Sequence, residues 1–568
     1  MRMPLPRSAT GPLIVASTGI AMLIATWGTW PDPVTDFGKE VYLAWQLSLG
    51  QRLYIDVAYH LGPLSPYVNA LVFKLFGSTL LTIEIFNIAI CGLIAVLVYR
   101  LINRIAGPLA ATAAGVTFLT LFAFLHFTPI TDYNFICPYD HAHTHGLLLG
   151  LVAMAASDRF NRTGRVWAII LAGLAVGMAF LTRAELFLPA AAGAGTILIL
   201  GGRAGRRRSV LTFSIGVLTP ILIAYLCLGW RAVEGSWPVV LETSVAANPF
   251  YRSSMGTLDV AGSLLRIGKW TVFWLVVLVP PLFVSRRWPP GALLWGAAAA
   301  YLVGSKNDAG EAFSPLPLAL IGCAILLMWR PPEIRALSAG LLIYAFVLLA
   351  KIILNARIYH YGFVLAMPAT ILVVAIGIGW TNPAFRAGLI GALVVLIAAY
   401  ISFGRGLILG QKFIVGEGPN QFYADERGRQ LEVVLNYLRA TAQPGQTLAV
   451  MPEGAMLNFL AVMPNPTPYW SFNPPYSFFS PGEGEAAGEE KIVGSLQSHP
   501  PDWIALVAED LSDFGTPFFG TDYGVRICDF VTRNYRTELT VGISPFKHQG
   551  FGMLLMRRSV YNGHGTPP

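Results

Sequence analysis

DPVTDFGKEVYLAWQLSLGQRLYIDVAYHLGPLSPYVNALVFKLFG, residues 32–77, separates the first strongly apolar run of the chain from the second. Acids (Asp32, Asp36, Glu40 and Asp56) lie in it beside amphipathic helical patches and a Gly62-Pro63…Pro66 break. A connector between two membrane spans is ordinarily shorter and less aromatic. This one reads as a loop resting against a membrane surface and holding carboxylates at the mouth of a lipid-embedded cavity. Asp36 and Glu40 are four apart, so they share a face if DFGKEVYLAWQLSL is helical. A carboxylate in a partly dry cleft has its pKa raised and can serve as a general base. The alternative is a set of solvated loop acids, or partners for Lys39 and Arg52.

The rest of the chain explains what this loop rests on. Of 568 residues, 55% are hydrophobic and only 12% charged, and mean hydropathy is +0.58. Soluble domains carry about 25% charged residues. Apolar runs of about 16–22 residues, each a candidate spanning helix, fall near 11–29, 79–99, 108–126, 141–157, 166–182, 184–200, 210–230, 270–284, 291–304, 315–329, 336–354, 361–380 and 387–404. An α-helical polytopic membrane protein with about thirteen transmembrane helices is expected. The first run starts basic, as a signal peptide does. It lacks a small-x-small cleavage site and ends on Trp27 and Trp30, and so reads as a retained anchor.

Alternate connections carry the arginines: Arg2 and Arg7, Arg100 and Arg104, Arg159 to Arg165, Arg203 with Arg206–Arg208, Arg286 and Arg287, Arg330 with Arg335, and Arg386. The positive-inside rule makes that side cytoplasmic. The protein is then expected in the cytoplasmic membrane with its N-terminus inside, and an odd number of spans carries the chain beyond about 405 to the outside. The net charge of +8 is accounted for by topology, and no nucleic-acid partner is expected. Five scattered cysteines without a CxxC spacing argue against a zinc or redox site; a Cys137–Cys528 disulfide is one option for the two outside the apolar runs.

Residues 1–405 are thus read as a membrane domain with its large first outer loop at 30–78, and residues 406–568 as a soluble extracytoplasmic α/β domain. In the latter, 425–441 reads as an amphipathic helix, 454–460 as a short helix, and 447–452, 503–508 and 552–558 as strands. The Pro- and aromatic-rich stretch from Asn465 is expected as loop on the membrane surface, and DFGTPFFGTDYG (513–524) as a turn-rich cover over the cleft.

Three further outward stretches carry chemistry. CPYDHAHTHG (137–146) sets Asp140 beside His141, His143 and His145. These suit a divalent ion (Mg, Mn or Zn) as imidazole and carboxylate ligands, or else form an interfacial polar cap. LTRAELFLP (181–189) offers Arg183 and Glu185, which either neutralise each other or bind a phosphate and orient the substrate. NARIYHYG (355–362) sets Arg357, Tyr359 and His360 at the outer end of a span, as an electrostatic clamp on a phosphate or as an aromatic belt with a snorkelling arginine. Lys306 is a further substrate-binding candidate.

An acid soon after the first span, a helix closing on SLGQRLY, Gly62-Pro63-Leu64 and a second amphipathic stretch ending in Phe76-Gly77 resemble the first outer loop of GT-C glycosyltransferases. The likeness is nearest to the protein O-mannosyltransferase and aminoarabinose-transferase type, and covers about residues 1–200. Asp36 stands where that family has the first of an acidic pair; the second position is Phe37, with Glu40 as a possible substitute. The family's acid at a comparable later position would be Asp140, and the Arg183-x-Glu185 element also fits its pattern. What the resemblance implies is a polyprenyl-phosphate-linked sugar donor, a glycan, lipid or protein acceptor, transfer on the outer face with inversion, and Asp36 as base. The competing reading is a transporter or flippase for a lipid-linked or anionic solute, though such proteins place ionisable groups near the midplane between repeated halves. Convergence of Asp36, Asp140, Glu185 and Arg357 on one outward cavity would separate the two.

Overall fold

The computed structural model describes residues 9–59, 61–126, 132–202, 206–229, 260–284, 289–304, 309–352, 356–358, 361–473, 485–511, 517–547 and 550–559. The chain opens with α1 (Thr10–Ala25), α2 (Phe37–Ser48), α3 (Leu64–Phe76), α4 (Leu80–Ala106), α5 (Pro108–Phe118), α6 (His141–Thr163), α7 (Val166–Phe180), α8 (Ala184–Leu200) and α9 (Arg206–Leu228). Further apolar helices follow, ending with the 28-residue Pro383–Gly410. Each apolar run read from the sequence coincides with a helix. Among the described residues, seven helices are long and apolar enough to cross a membrane, and the protein is a multi-pass membrane protein. Leu218, Leu222 and Leu226 of α9 are exposed, as expected of side chains meeting lipid rather than protein.

Helix α6 spans two polar layers. Asp140 caps its N-terminus, its carboxylate accepting the Ala142 N–H at 2.8 Å. Near the other end Asp158 pairs with Arg104 of α4 and with Arg162, both at 2.9 Å. Seventeen residues of helix separate His141 from Asp158, about 26 Å at 1.5 Å per residue, close to the hydrocarbon thickness of about 30 Å.

The loop between α1 and α4 folds as α2 and α3 packed on each other at the end where α6 begins. Gly62 joins it to the turn between α7 and α8: its N–H donates to the Thr182 carbonyl at 3.1 Å, and the Leu64 N–H to that of Leu181 at 3.0 Å. A Cβ at Gly62 would run into both carbonyls. Gly62→Ala is therefore expected to cost about 1–3 kcal/mol through overpacking, read as a lowered Tm in detergent; an unchanged Tm would mean that the two turns are not held together here.

The C-terminal domain begins where the Pro383–Gly410 helix stops, at a two-stranded antiparallel ribbon of β1 (Phe413–Val415) and β2 (Phe422–Ala424). Its main sheet runs β3-β4-β6-β5, from β3 (Leu448–Met451), β4 (Trp503–Val507), β5 (Tyr535–Gly542) and β6 (Gly552–Arg558). The β3–β4 pair is parallel and the other two pairs antiparallel. β3 and β4 are buried along their whole length, which is why they read as continuous apolar runs. β5 was illegible because it is an edge strand, Tyr-Arg-Thr-Glu-Leu-Thr-Val-Gly, mostly polar and largely exposed. The helices Glu426–Thr441 and Ala455–Ala461 match the reading; Glu485–Ser498 and Val525–Asn534 are additions.

The stretch from Asn465 to Asn473 packs on the loop between α1 and α4: the Asn465 N–H donates to the Tyr42 hydroxyl at 3.0 Å, the Ala58 N–H to Pro468 at 2.9 Å, and the Trp470 indole to the Ala58 carbonyl at 2.9 Å. One expectation changes: all five cysteines are free thiols. Cys137 faces Glu84 and Cys528 packs under Gly520, so no Cys137–Cys528 disulfide exists.

Candidate active site

Asp36 stands at the N-terminus of α2 with φ 63°, one of three non-glycine residues with positive φ among those described. With ψ −79° and the Phe37 N–H on the Thr35 carbonyl at 2.9 Å it forms a γ-turn, a rare conformation that costs of order 1–3 kcal/mol unless its surroundings fix it. They do. The Asp36 N–H donates to Glu453 Oε1 at 2.9 Å, and the Phe37 N–H to Asp132 Oδ2 at 3.3 Å. Asp132 Oδ1 accepts the Asp32 N–H at 2.9 Å, and Asp32 Oδ1 accepts those of Val34 and Thr35. Arg427, from the C-terminal domain, closes on both Asp32 oxygens at 2.7 and 3.3 Å. Every neighbour is thus committed to the backbone or to a guanidinium, whereas the Asp36 side chain makes no capping bond. Burial pushes its carboxyl up to about 8, against the pull of Lys39 and helped by Glu453, Asp32 and Asp140.

Lys39, one turn into α2, is buried, with its ammonium 5.6 Å from the Tyr139 ring centroid and 5.7 Å from that of Trp470. Burial pushes its amine down, but Asp36, Glu40, Asp140 and Glu453 more than offset that, and it stays charged. Glu40 faces away from Asp36 in function: its Oε2 accepts the His141 backbone N–H at 3.3 Å and lies 2.8 Å from His141 Nδ1.

A second array meets the first through Asp140. Arg183 bonds Asp140 and, through Nε at 2.9 Å, Glu185. Glu185 also accepts from His143 Nε2 at 2.8 Å and pairs with Lys351. Against the upward push of burial, Arg183 and His143 hold the Asp140 carboxyl below the usual range. This array is the buried, charge-balanced form of the Arg183–Glu185 neutralisation weighed above.

The three histidines do not converge. His141 uses Nδ1 toward Glu40 and receives the Asn87 amide at Nε2, 2.8 Å. His143 turns to Arg183 and Glu185, and His145 to the Ser65 hydroxyl at 3.0 Å. Among the described residues no group of three His, Cys, Asp or Glu side chains is arranged to hold a metal. A His141–His143–His145 metal centre does not fit this arrangement, because successive odd positions on a helix point about 200° apart and both ring nitrogens of His141 and His143 already have partners.

Of the other expected residues, Arg357 pairs with Glu311 at 2.7 Å, whose second oxygen lies 3.8 Å from Arg266. Lys306, Tyr359 and His360 lie outside the described residues. Asp132, Lys39, Lys351, Glu453 and Arg427 were not singled out as site residues. Asp132 and Lys39 had the signal of charge at a membrane boundary, but Glu453 and Arg427 reach the site only through tertiary docking.

Residues 60–230 match the family model described as dolichyl-phosphate-mannose-protein mannosyltransferase. Among solved structures, the oligosaccharyltransferase of Archaeoglobus fulgidus tethered with an acceptor peptide is similar at TM-score 0.50 and 12% identity, over 98% of this chain and 75% of that one. The same enzyme in complex with zinc and sulfate gives 0.49 and 13%, over 87% and 67%. ArnT from Cupriavidus metallidurans bound to undecaprenyl phosphate gives 0.42 and 12%, over 99% and 100%. No curated protein sequence matches the chain. The chain therefore resembles the GT-C glycosyltransferases, by a family match that runs from Gly62-Pro63 and α3 through α9, and by fold.

Proposed function

We propose that this protein is a glycosyltransferase of the outer face of the cytoplasmic membrane, moving a sugar from a polyprenyl-phosphate donor to an acceptor hydroxyl. The observation that carries the reading is Asp36: an uncapped carboxyl on a positive-φ backbone, anchored by three other acids and facing a charged array that starts at Asp140. Such strain is a pointer to function when its surroundings fix it. The family match over 60–230 supports the donor class.

In this reading the Asp36 carboxylate takes the proton of the acceptor hydroxyl as that oxygen attacks the anomeric carbon. The bond from that carbon to the phosphate oxygen breaks, and polyprenyl phosphate leaves with the electron pair, inverting the centre. Phosphate is a good leaving group, so no acid is required opposite. Arg183 and Lys351 meet the phosphate, exchanging part of their pairing with Asp140 and Glu185 for the incoming charge; Arg357 is a further contact. Glu40 holds His141, and through it the start of α6.

The test is sugar transfer by purified protein from a panel of polyprenyl-phosphate sugars, with glycan, lipid and protein acceptors. One donor should turn over, with the rate climbing by about tenfold per pH unit toward about 8 as Asp36 loses its proton. Binding without transfer in the whole panel would sink the reading in favour of a transporter.

A further inference from the structure

We propose that Glu453, carried by the C-terminal domain, is a positioning residue for Asp36, setting both its backbone and its proton affinity; this rests on the glycosyltransferase reading only for its effect on turnover. Glu453 lies two residues beyond the end of β3 and is buried. One oxygen accepts the Asp36 N–H at 2.9 Å, and the other accepts the Asn473 amide at 2.8 Å. Asn473 is met on its far side by the Tyr523 hydroxyl at 3.5 Å. A line of side chains thus runs from the C-terminal domain to the positive-φ backbone of Asp36. The neighbouring Ala455–Ala461 helix is pressed on α2 so closely that a Cβ at Gly38 would meet the Met456 backbone. Arg427 on Asp32 fixes a second point of the same loop.

The charges around Asp36 come from four directions. Lys39 lies on α2, Asp32 and Asp132 lie behind the backbone, Asp140 caps α6, and Glu453 with Glu509 come from the C-terminal domain. Only Glu453 bonds the Asp36 N–H. Removing its charge while keeping its shape changes the proton affinity of Asp36 without releasing the loop.

E453Q retains an acceptor for the Asp36 N–H, and Asn473 can turn its amide to suit the new group. The full-length protein in detergent is treated with dicyclohexylcarbodiimide, which reacts with protonated carboxyls in apolar surroundings, and adduct on the Asp36 peptide is measured by mass spectrometry against pH, with D36N as control. The expected result is a labelling midpoint about one pH unit lower in E453Q than in wild type. The acidic limb of kcat moves with it, so that at pH 6.5 the variant is faster than wild type, which loosened packing would not produce. E453A, lacking the acceptor as well, should lose about tenfold to a hundredfold in kcat with KM little changed; if it does not fold, E453Q decides. An unmoved midpoint in E453Q overturns the inference whatever the turnover. A moved midpoint with no transfer from any donor leaves Glu453 in its role and overturns the glycosyltransferase reading instead.

Discussion

Asp36→Asn will lower kcat by about 100-fold to 10,000-fold, the range that a positioned general base contributes, while leaving the protein more stable at pH 8 than the wild type. Asparagine matches aspartate in size and shape and keeps the N–H that Glu453 accepts, so the loop is preserved. The stability gain follows from proton linkage. The folded chain holds the Asp36 proton to about pH 8 and the unfolded chain only to about 3.8, so between these limits the folded state binds more protons. Wild-type stability must therefore fall as pH rises through that window. Asparagine does not titrate. Its Tm advantage should be absent near pH 4, grow with pH, and level off above about 8. A difference in Tm that is constant with pH would show that Asp36 titrates normally, and undiminished transfer would remove it from the chemistry.

Arg183→Ala is expected to be the most destabilising single change in the membrane domain. Arg183 bridges two carboxylates, and Asp140 beneath it is fully buried. Removing one member of a buried ion pair costs about 3–5 kcal/mol, because the remaining charge is stranded in a low-dielectric site. Arg183→Lys should recover part of this, since it keeps the charge but not the fork that reaches Asp140 and Glu185 together. Pairing Arg183→Ala with Asp140→Asn should recover part as well. The pH dependence has the opposite sign to that of Asp36: with its pKa depressed, Asp140 adds stability above its ordinary pKa and loses it as pH falls. The gap between wild type and Arg183→Ala should thus narrow only as pH falls below about 3.8, the ordinary carboxylate value. Thermal unfolding of the detergent-solubilised variants from pH 2 to 8 measures it; a gap that persists unchanged at pH 2 would mean the cost lies in packing, not in charge.

Single residues show why the candidate site was only half legible. Asp36, Asp140, Arg183 and Glu185 stood out because a charge beside an apolar run has few reasons to be there. His141, His143 and His145 stood out equally and misled, since spacing reveals the density of ligands but not which way each ring turns. His141 is spoken for by Glu40 and Asn87, and His143 by Arg183 and Glu185. Glu453 looked like any acid in a soluble domain.

The sequence by itself determined the class of molecule: apolar length and period fix membrane helices one segment at a time, and a charge deficit of this size leaves no soluble alternative. It also determined that the loop after the first apolar run carries several acids, because that loop is contiguous. Only the tertiary structure decided which acid is left uncommitted, since Asp32 and Asp132 are occupied by backbone N–H groups and Arg427, and Glu40 by His141. It alone brought Glu453 to Asp36, 417 residues away along the chain. Hydrogen bonds between distant segments depend on how the domains dock, and no local pattern encodes that.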